Sequence, residues 1–468
     1  MLTYDLEKRG NIPLYDYLYR CIKDDILAGN IKPFEKLPSK RTLAKHLNIS
    51  IITVENAYAQ LNLEGYIYSL EAKGYYANSL QKTNVSKDEL PVVEETQEFE
   101  YEFFADFRAN RMRRMNFPFS VWSKLMREIL SSQDIRLLKT VPFNGVYELR
   151  AAIAKYLHDF RGMQVSPNQV IIGAGIEFLY SRIIKLLGTE CRFAIENIGY
   201  KKIYEIYDNY GAKWESVAMD NSGMSLKELK DSKANVIHIS PAHHFPTGMV
   251  MPVKRRQELL SWANEADNRY IIEDDYDSEF RYLGKPIPTM YSMDNSGRVI
   301  YMNTFSKSLI PSLRISYMVL PNDILDTYEK TVSFYSCTVS SFEQYTLAKF
   351  ISEGYFERHI NRMKNHYKNQ RDLLLNAIKN SRLSNIAEVY EENAGTHFLL
   401  KVNTRLTDAQ IIEKAKKEDI DISCLSEYCI RNSKNVEGTL VVNYAGVHKE
   451  RIEEAIKRLE RIFFKDGN

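Results

Sequence analysis

Between Gln169 and Pro321 the chain runs repeatedly into short apolar stretches that stop at a glycine, a proline or a polar residue. They are "QVIIGAG", "CRFAIEN", "NVIHISP", "YIIEDDY", "RVIYMNTF" and "SYMVLP". Segments of helical periodicity lie between several of them, such as "IEFLYSRIIKLLG" and "VKRRQELLSWANEAD". Strands buried on both faces read as continuous apolar runs, and parallel neighbours need a crossover, usually a helix. The pattern therefore predicts an α/β domain on a mostly parallel sheet with flanking helices. In open sheets of this kind ligands bind beyond the carboxyl ends of the strands. The residues just after each run are the ones to inspect.

At 468 residues the chain is too long for one ordinary domain, so two or three are expected. The composition changes at Asp88–Glu102, "DELPVVEETQEFEYE", with seven acidic residues and no basic one. This predicts a solvated linker over residues 80–103, between a domain at 10–79 and one at 104–468. The acidic run has two readings, plain solubility or repulsion from a nucleic-acid backbone. No apolar run reaches roughly 18 residues, so no membrane span is expected. "MLTYDLEKRGNIP" lacks the apolar stretch of a signal peptide. Cys21, Cys191, Cys337, Cys424 and Cys429 are scattered without metal-ligand spacing, so reduced thiols, no metal site and a cytoplasmic location are expected. A net charge of +2 says little about partners, so any nucleic-acid signal must be local.

Such a signal lies at the start. "PLYDYLYRCIKDDILAGNI" opens with Pro13, carries apolar residues at helical spacing and ends at Gly29. Downstream, Ser39 can cap a short helix through His46, and Ser50 a second one to about Glu64, with "NIS" as the turn. Two short helices joined this way match a helix-turn-helix. "GYIYSLEAKGYYAN" then alternates around Lys73-Gly74, as a small hairpin would.

The ordered residues Leu37, Pro38, Ser39, Arg41, Leu43 and Ala44, then Ser50, Thr53 and Val54, then Leu61 and Gly65, resemble the winged helix-turn-helix of GntR-type transcription regulators. The resemblance implies binding to a double-stranded DNA operator. Lys36, Lys40 and Arg41 would neutralise phosphates, as would the helix amides near Ser50. Thr53 and Asn56 would face base edges, and Lys73 would sit at the wing tip. Ile51 stands where the family often has Arg, which removes one phosphate or base contact.

The stretch "NTFSKSLIPSLR" sets Lys307 between two serines, with Thr304 before it and Arg314 after it. Pyridoxal phosphate (PLP) chemistry needs an amine for covalent attachment. It also needs a carboxylate for the pyridine nitrogen, an aromatic ring to stack, and hydroxyls, an Arg and helix-terminal amides for the phosphate. Each has a candidate at the end of an apolar run. Asp274 and Tyr276 follow one, and Asp274 precedes Lys307 by 33 residues, which suits one crossover. Gly173, Ala174 and Gly175 form a strand-to-helix turn, Tyr200 is the stacking candidate, and Thr304, Ser306 and Arg314 are the phosphate candidates.

This half of the chain resembles a fold-type I aminotransferase, and its fusion to a GntR-type module resembles the MocR/GabR subfamily of PLP-dependent transcription regulators. "FPFSVWSKLMRE", "HHFPTG" and "IIEDDYDSEFRY" carry that likeness. It implies a smaller C-terminal α+β subdomain from about residue 340, and a head-to-tail, domain-swapped homodimer with PLP sites near the subunit interface. Asp274 would pair with the pyridine nitrogen and Tyr276 with the 3′-oxygen. Two departures stand out. Phe245 replaces the Asn that enzymatic aminotransferases set near the 3′-oxygen. In "GTLVVNYAGV", Val441 and Val442 stand where an Arg would grip a substrate carboxylate; Arg431 lies off the motif, and Lys202 offers at most one cationic contact.

Three readings follow. The first is a transcription regulator whose PLP site senses an amino compound or PLP itself, with at most weak or partial transamination. The second is an aminotransferase carrying an accessory DNA-binding domain. The third is a DNA-binding protein whose large domain only dimerises.

Overall fold

The computed structural model describes residues 2–80, 102–108, 117–282, 284, 287–393, 395–431 and 436–464. The expected acidic linker falls, from 81 to 101, outside the described residues. The chain separates into two compact units, Met1–Phe99 and Glu100–Asn468.

The first unit is built by caps. Pro13 precedes the helix Leu14–Ala28, whose Leu18, Ile22 and Ile26 are buried at helical spacing, and Gly29 ends it in the left-handed region at φ 83°. Ser39 Oγ accepts from Thr42 N at 3.2 Å and starts Lys40–Leu47; Ser50 Oγ accepts from Thr53 N at 3.1 Å and starts Ile51–Leu63. Asn48, also left-handed, turns the chain between them. The strands Ile67–Leu70 and Gly74–Ala77 pair antiparallel, Ile67 opposite Ala77. Leu18, Ile22, Leu43, Val54, Tyr58 and Leu61 are fully buried at the centre. Tyr58 Oη donates to Pro38 O at 2.9 Å, so the largest core side chain leaves no polar atom stranded.

The second unit carries an eight-stranded sheet in the order Val170–Gly173, Ser316–Val319, Val299–Thr304, Tyr270–Asp274, Val236–Ile239, Arg192–Asn197, Lys213–Asp220, Gly223–Met224. Ser316–Val319 runs against both neighbours and Gly223–Met224 closes one edge antiparallel; the central pairings are parallel. Alternate residues enter opposite cores. Ile171, Ile300 and Met302 join one cluster, while Val170, Ile172 and Tyr301 join another. Burial on both faces is why these strands read as unbroken apolar runs. Lys213–Asp220 does not read that way: it lies next to the sheet edge, and most of it is only half-buried or exposed. A second antiparallel sheet follows, Ala387–Tyr390, His397–Val402, Thr439–Asn443 and Ser423–Cys424, after the long helix Tyr355–Lys379. Ala105–Asp106 pairs with Ile420–Asp421, tying the start of this unit to its C-terminal part. No helix among the described residues is long and apolar enough to cross a membrane.

Candidate functional site

The carboxyl ends of the parallel strands open onto one cavity of about 340 Å³. That is the size of a small-ligand site. Asp274 ends its strand, and Thr304 ends the adjacent parallel strand and caps the short helix Phe305–Ser308 that carries Lys307. One crossover thus brings Asp274 and Lys307 to the same cavity. Tyr200, Tyr276, Thr304, Ser306 and Arg314 line it with them.

Burial holds the Lys307 amine below its ordinary range, with Asp277 and Asp274 pulling the other way. Asp274 Oδ2 accepts from Tyr180 Oη at 2.8 Å, and His238 Nε2 lies 3.9 Å from the same oxygen. The other oxygen, Oδ1, is buried without a hydrogen-bond partner. Leaving a buried carboxylate oxygen unpaired is costly. Tyr276 Oη lies 3.2 Å from His243 Nδ1, and that nitrogen lies 2.8 Å from Asp277 Oδ2. A carboxylate only accepts, so the His243 proton goes to Asp277 and the Tyr276 proton is left to point elsewhere. Burial first, then Asp277 and Asp274, push the Tyr276 phenol well above its usual range, so it stays a donor. Thr304 Oγ1 accepts from Ser306 N at 3.1 Å and from Ser316 Oγ at 2.8 Å, which leaves its own proton to give.

The glycine turn divides. Gly173 stands within its strand, where a Cβ would come within 2.7 Å of Leu179 and Phe178; its job is close packing. Ala174 N donates to Thr338 Oγ1 at 3.2 Å, so that amide is already engaged. None of Gly173, Ala174 and Gly175 is among the residues that line the cavity. Gly175, at φ 91°, caps the helix Ile176–Leu187, and a Cβ there would collide with the Arg314 guanidinium. The helix amino terminus and the Arg314 guanidinium therefore converge on one spot, an arrangement that suits an anion.

Several residues at this site are not singled out by sequence reasoning. Tyr180 and His238 attend Asp274; a histidine inside the apolar "VIHI" was the available signal. Glu177 takes an ion pair from Lys202 Nζ at 2.6 Å and another from Arg314. Burial would raise the Glu177 carboxyl, but these partners and a backbone amide hold it at about 2. Lys202 lines the cavity with its ammonium paired to Glu177, as Arg314 does with its guanidinium. On the C-terminal strand, Val441 packs with Leu399, Leu425 and Val436, and Val442 joins the large core. Ile430 lines the cavity, fixed by its amide to Asn197 Oδ1 at 2.9 Å, and the Arg431 side chain points to a largely exposed position.

The DNA-facing candidates of the first unit also sort themselves. Lys36, Arg41 and Lys73 are exposed, and Lys36 lies 5.9 Å over the Tyr76 ring. Lys40 pairs with Glu55 at 2.6 Å. Ser50 is engaged as a helix cap, and Thr53 is half-buried with its hydroxyl 2.8 Å from Ser50 Oγ. Ser50 is nonetheless exposed. Asn56 is exposed.

The unpaired Asp274 oxygen, the Arg314 guanidinium against the helix amino terminus at Gly175 and the buried Lys307 amine fit a group with a ring N–H, a phosphate and an aldehyde. When bound, PLP supplies a carbonyl for covalent attachment and a ring that withdraws electrons.

Comparison with known proteins agrees. Residues 105–459 match the family Aminotransferase class I and II, and residues 14–76 match Bacterial regulatory proteins, gntR family, a DNA-binding module. The chain is 38% identical over 461 residues to "Uncharacterized HTH-type transcriptional regulator YdeL" of Bacillus subtilis, covering 98% of each. It is 30% identical to "Probable rhizopine catabolism regulatory protein MocR" of Rhizobium meliloti, covering 98% of this chain and 95% of that one. The second unit shares its fold with a kynurenine aminotransferase of Pyrococcus horikoshii, solved with PMP, at TM-score 0.68 and 24% identity, over 78% of this chain and 91% of that one. With both halves accounted for, the chain belongs to the MocR/GabR subfamily of GntR-type transcription regulators, a winged helix-turn-helix joined to an aminotransferase-type domain, and its cofactor is pyridoxal phosphate.

Proposed function

We propose that this regulator senses an effector at the Lys307 cavity and conveys the result to its DNA-binding unit. In this reading Lys307 attaches PLP, Asp274 Oδ1 receives the ring N–H, Tyr276 donates to the 3′-oxygen and Tyr200 stacks on the ring. Gly175, Thr304, Ser306 and Arg314 hold the phosphate. Arg314 would then share its charge between Glu177 and the phosphate, a switchable contact inside the site.

The observation that carries the reading is an imbalance. Asp274, Tyr276, Lys307 and Arg314 line one cavity, while the strand expected to grip a substrate carboxylate presents Val441 and Val442 packed into apolar clusters. Steady turnover of a free amino acid needs that grip; holding PLP does not. This favours PLP itself as the effector, with an amino compound as the other class. Among the relatives, one is named a pyridoxine biosynthesis transcriptional regulator, PdxR, and another a probable rhizopine catabolism regulatory protein, MocR. A head-to-tail homodimer in the cytoplasm completes the proposal, and exposed Leu138, Tyr147 and Phe334 are side chains that a second copy could cover. Effector binding shifts the balance of two conformations only through different affinity for each.

The test is DNA affinity of the full chain at ~0.1 M salt with and without PLP, beside an amino-donor turnover assay. A PLP-dependent change in DNA binding without sustained turnover is expected. Sustained turnover with no effect on DNA binding would favour the second reading, an aminotransferase with an accessory DNA domain.

A further inference from the structure

We propose that the helix Ile51–Leu63 selects A·T base pairs, contacting thymine methyl groups with Ile52 and adenine with Asn56. This rests on the DNA-binding reading of the first unit.

The helix turns Val54, Ala57, Tyr58 and Leu61 into the core. The opposite stripe, at i, i+4, i+7 and i+11, is Ile52, Asn56, Ala59 and Leu63, all exposed. Ile52 is 68% exposed and Leu63 81%. Among the described residues Ile52 joins no hydrophobic cluster, yet it occupies the amino-terminal turn, the part of a recognition helix that meets base edges.

The chemistry of the stripe is selective. "IITVENAYAQLNL" contains no Lys or Arg. Guanine is read in the major groove chiefly by bidentate Arg or Lys, adenine by Asn or Gln, and the thymine methyl by apolar side chains. Several other polar groups nearby are committed. Glu55 pairs with Lys40 at 2.6 Å, Gln60 donates to Glu64, and the Thr53 hydroxyl meets Ser50. The Asn56 amide has no hydrogen-bond partner among the described residues, leaving it able to make a bidentate contact.

Charge complementarity names the occupant. Lys36, Arg41, Lys45 and Lys73 of the same unit are exposed, Lys36 ahead of the preceding helix, Arg41 and Lys45 on it and Lys73 in the hairpin turn. Exposed cations with an uncharged, largely apolar stripe match a duplex whose phosphates flank a methyl-bearing groove.

The test begins by selecting bound duplexes from a random pool with the full-length, PLP-loaded chain at ~0.1 M salt. Half-sites with an A·T core are expected. Replacing core thymine by uracil removes only the methyl and should weaken binding several-fold. Ile52→Ala should weaken it similarly and become insensitive to that replacement, while Asn56→Ala should lose about tenfold discrimination at one adenine. Both side chains are exposed, so thermal unfolding should match the unsubstituted protein. Two outcomes overturn the proposal: half-sites anchored on a guanine that persists in Arg41→Ala, or equal uracil sensitivity in Ile52→Ala and the parent. Absence of any DNA binding would remove the underlying reading itself, and the proposal with it.

Discussion

The two units put their chemistry in opposite places. In the second, the reactive groups sit in a cavity where removal of water changes what they are. Lys307 is held toward its neutral form, Tyr276 is held as a phenol, and Asp274 keeps one oxygen unpaired. In the first, the groups proposed to meet DNA are an isoleucine, an asparagine and several cations left in water. Buried chemistry depends on a few groups at fixed distances, so single substitutions should be severe. An exposed face spreads its energy over many weak contacts, so single substitutions should be graded.

That contrast can be broken most sharply at Lys307. Lys307→Ala should abolish covalent PLP attachment, read as loss of the attached cofactor's visible absorbance, with the fold of the first unit unchanged by circular dichroism. If Lys307→Ala still carries covalently attached cofactor, the site is misread. Next in size, Leu61→Ala opens a cavity in the small core and should cost the first unit about 2–5 kcal/mol. DNA binding should fall while PLP absorbance persists, and coupled loss of both would show that the units do not behave separately. Asp274→Asn removes the charge facing the ring nitrogen and should weaken PLP binding by about 1.5–3 kcal/mol, measured by equilibrium titration. Smallest, Ser50→Ala deletes one helix cap and should lower first-unit stability by about 1 kcal/mol, seen as a reduced midpoint in denaturant.

The pH dependence of stability offers a separate check on the buried side. Burial pushes the Glu196 carboxyl up to about 8 from its ordinary 4.5. The folded state therefore keeps a proton that the unfolded chain releases, and stability falls as pH rises between those values. Buried His244 and His359, depressed to about 3 and about 4, oppose this up to about 6.5, so the decline in melting temperature should appear between about 6.5 and 8, and Glu196→Gln should make it shallower, with Glu279 supplying the remainder.

Much of this was legible in the sequence for identifiable reasons. Ser39, Ser50 and Gly29 act through their immediate neighbours, so their helix boundaries can be read locally. Asp274 and Lys307 could be linked because one crossover joins adjacent parallel strands. Tyr180, His238 and Asp277 were not legible as site residues, because each acts across the fold on a group far away in sequence. Gly173 and Gly175 look alike in "GAG", yet one packs against Leu179 and Phe178 while the other clears space for Arg314. Lys202 looked available until Glu177, 25 residues away, was found beside it.

The sequence alone determined the elements, their order and the identity of the groups capable of PLP and DNA chemistry, because periodicity, caps and apolar runs are local properties. The tertiary structure decided which of those groups are free. Whether a lysine is paired, a carboxylate oxygen is stranded or an isoleucine is bare depends on partners brought close only when the chain has folded.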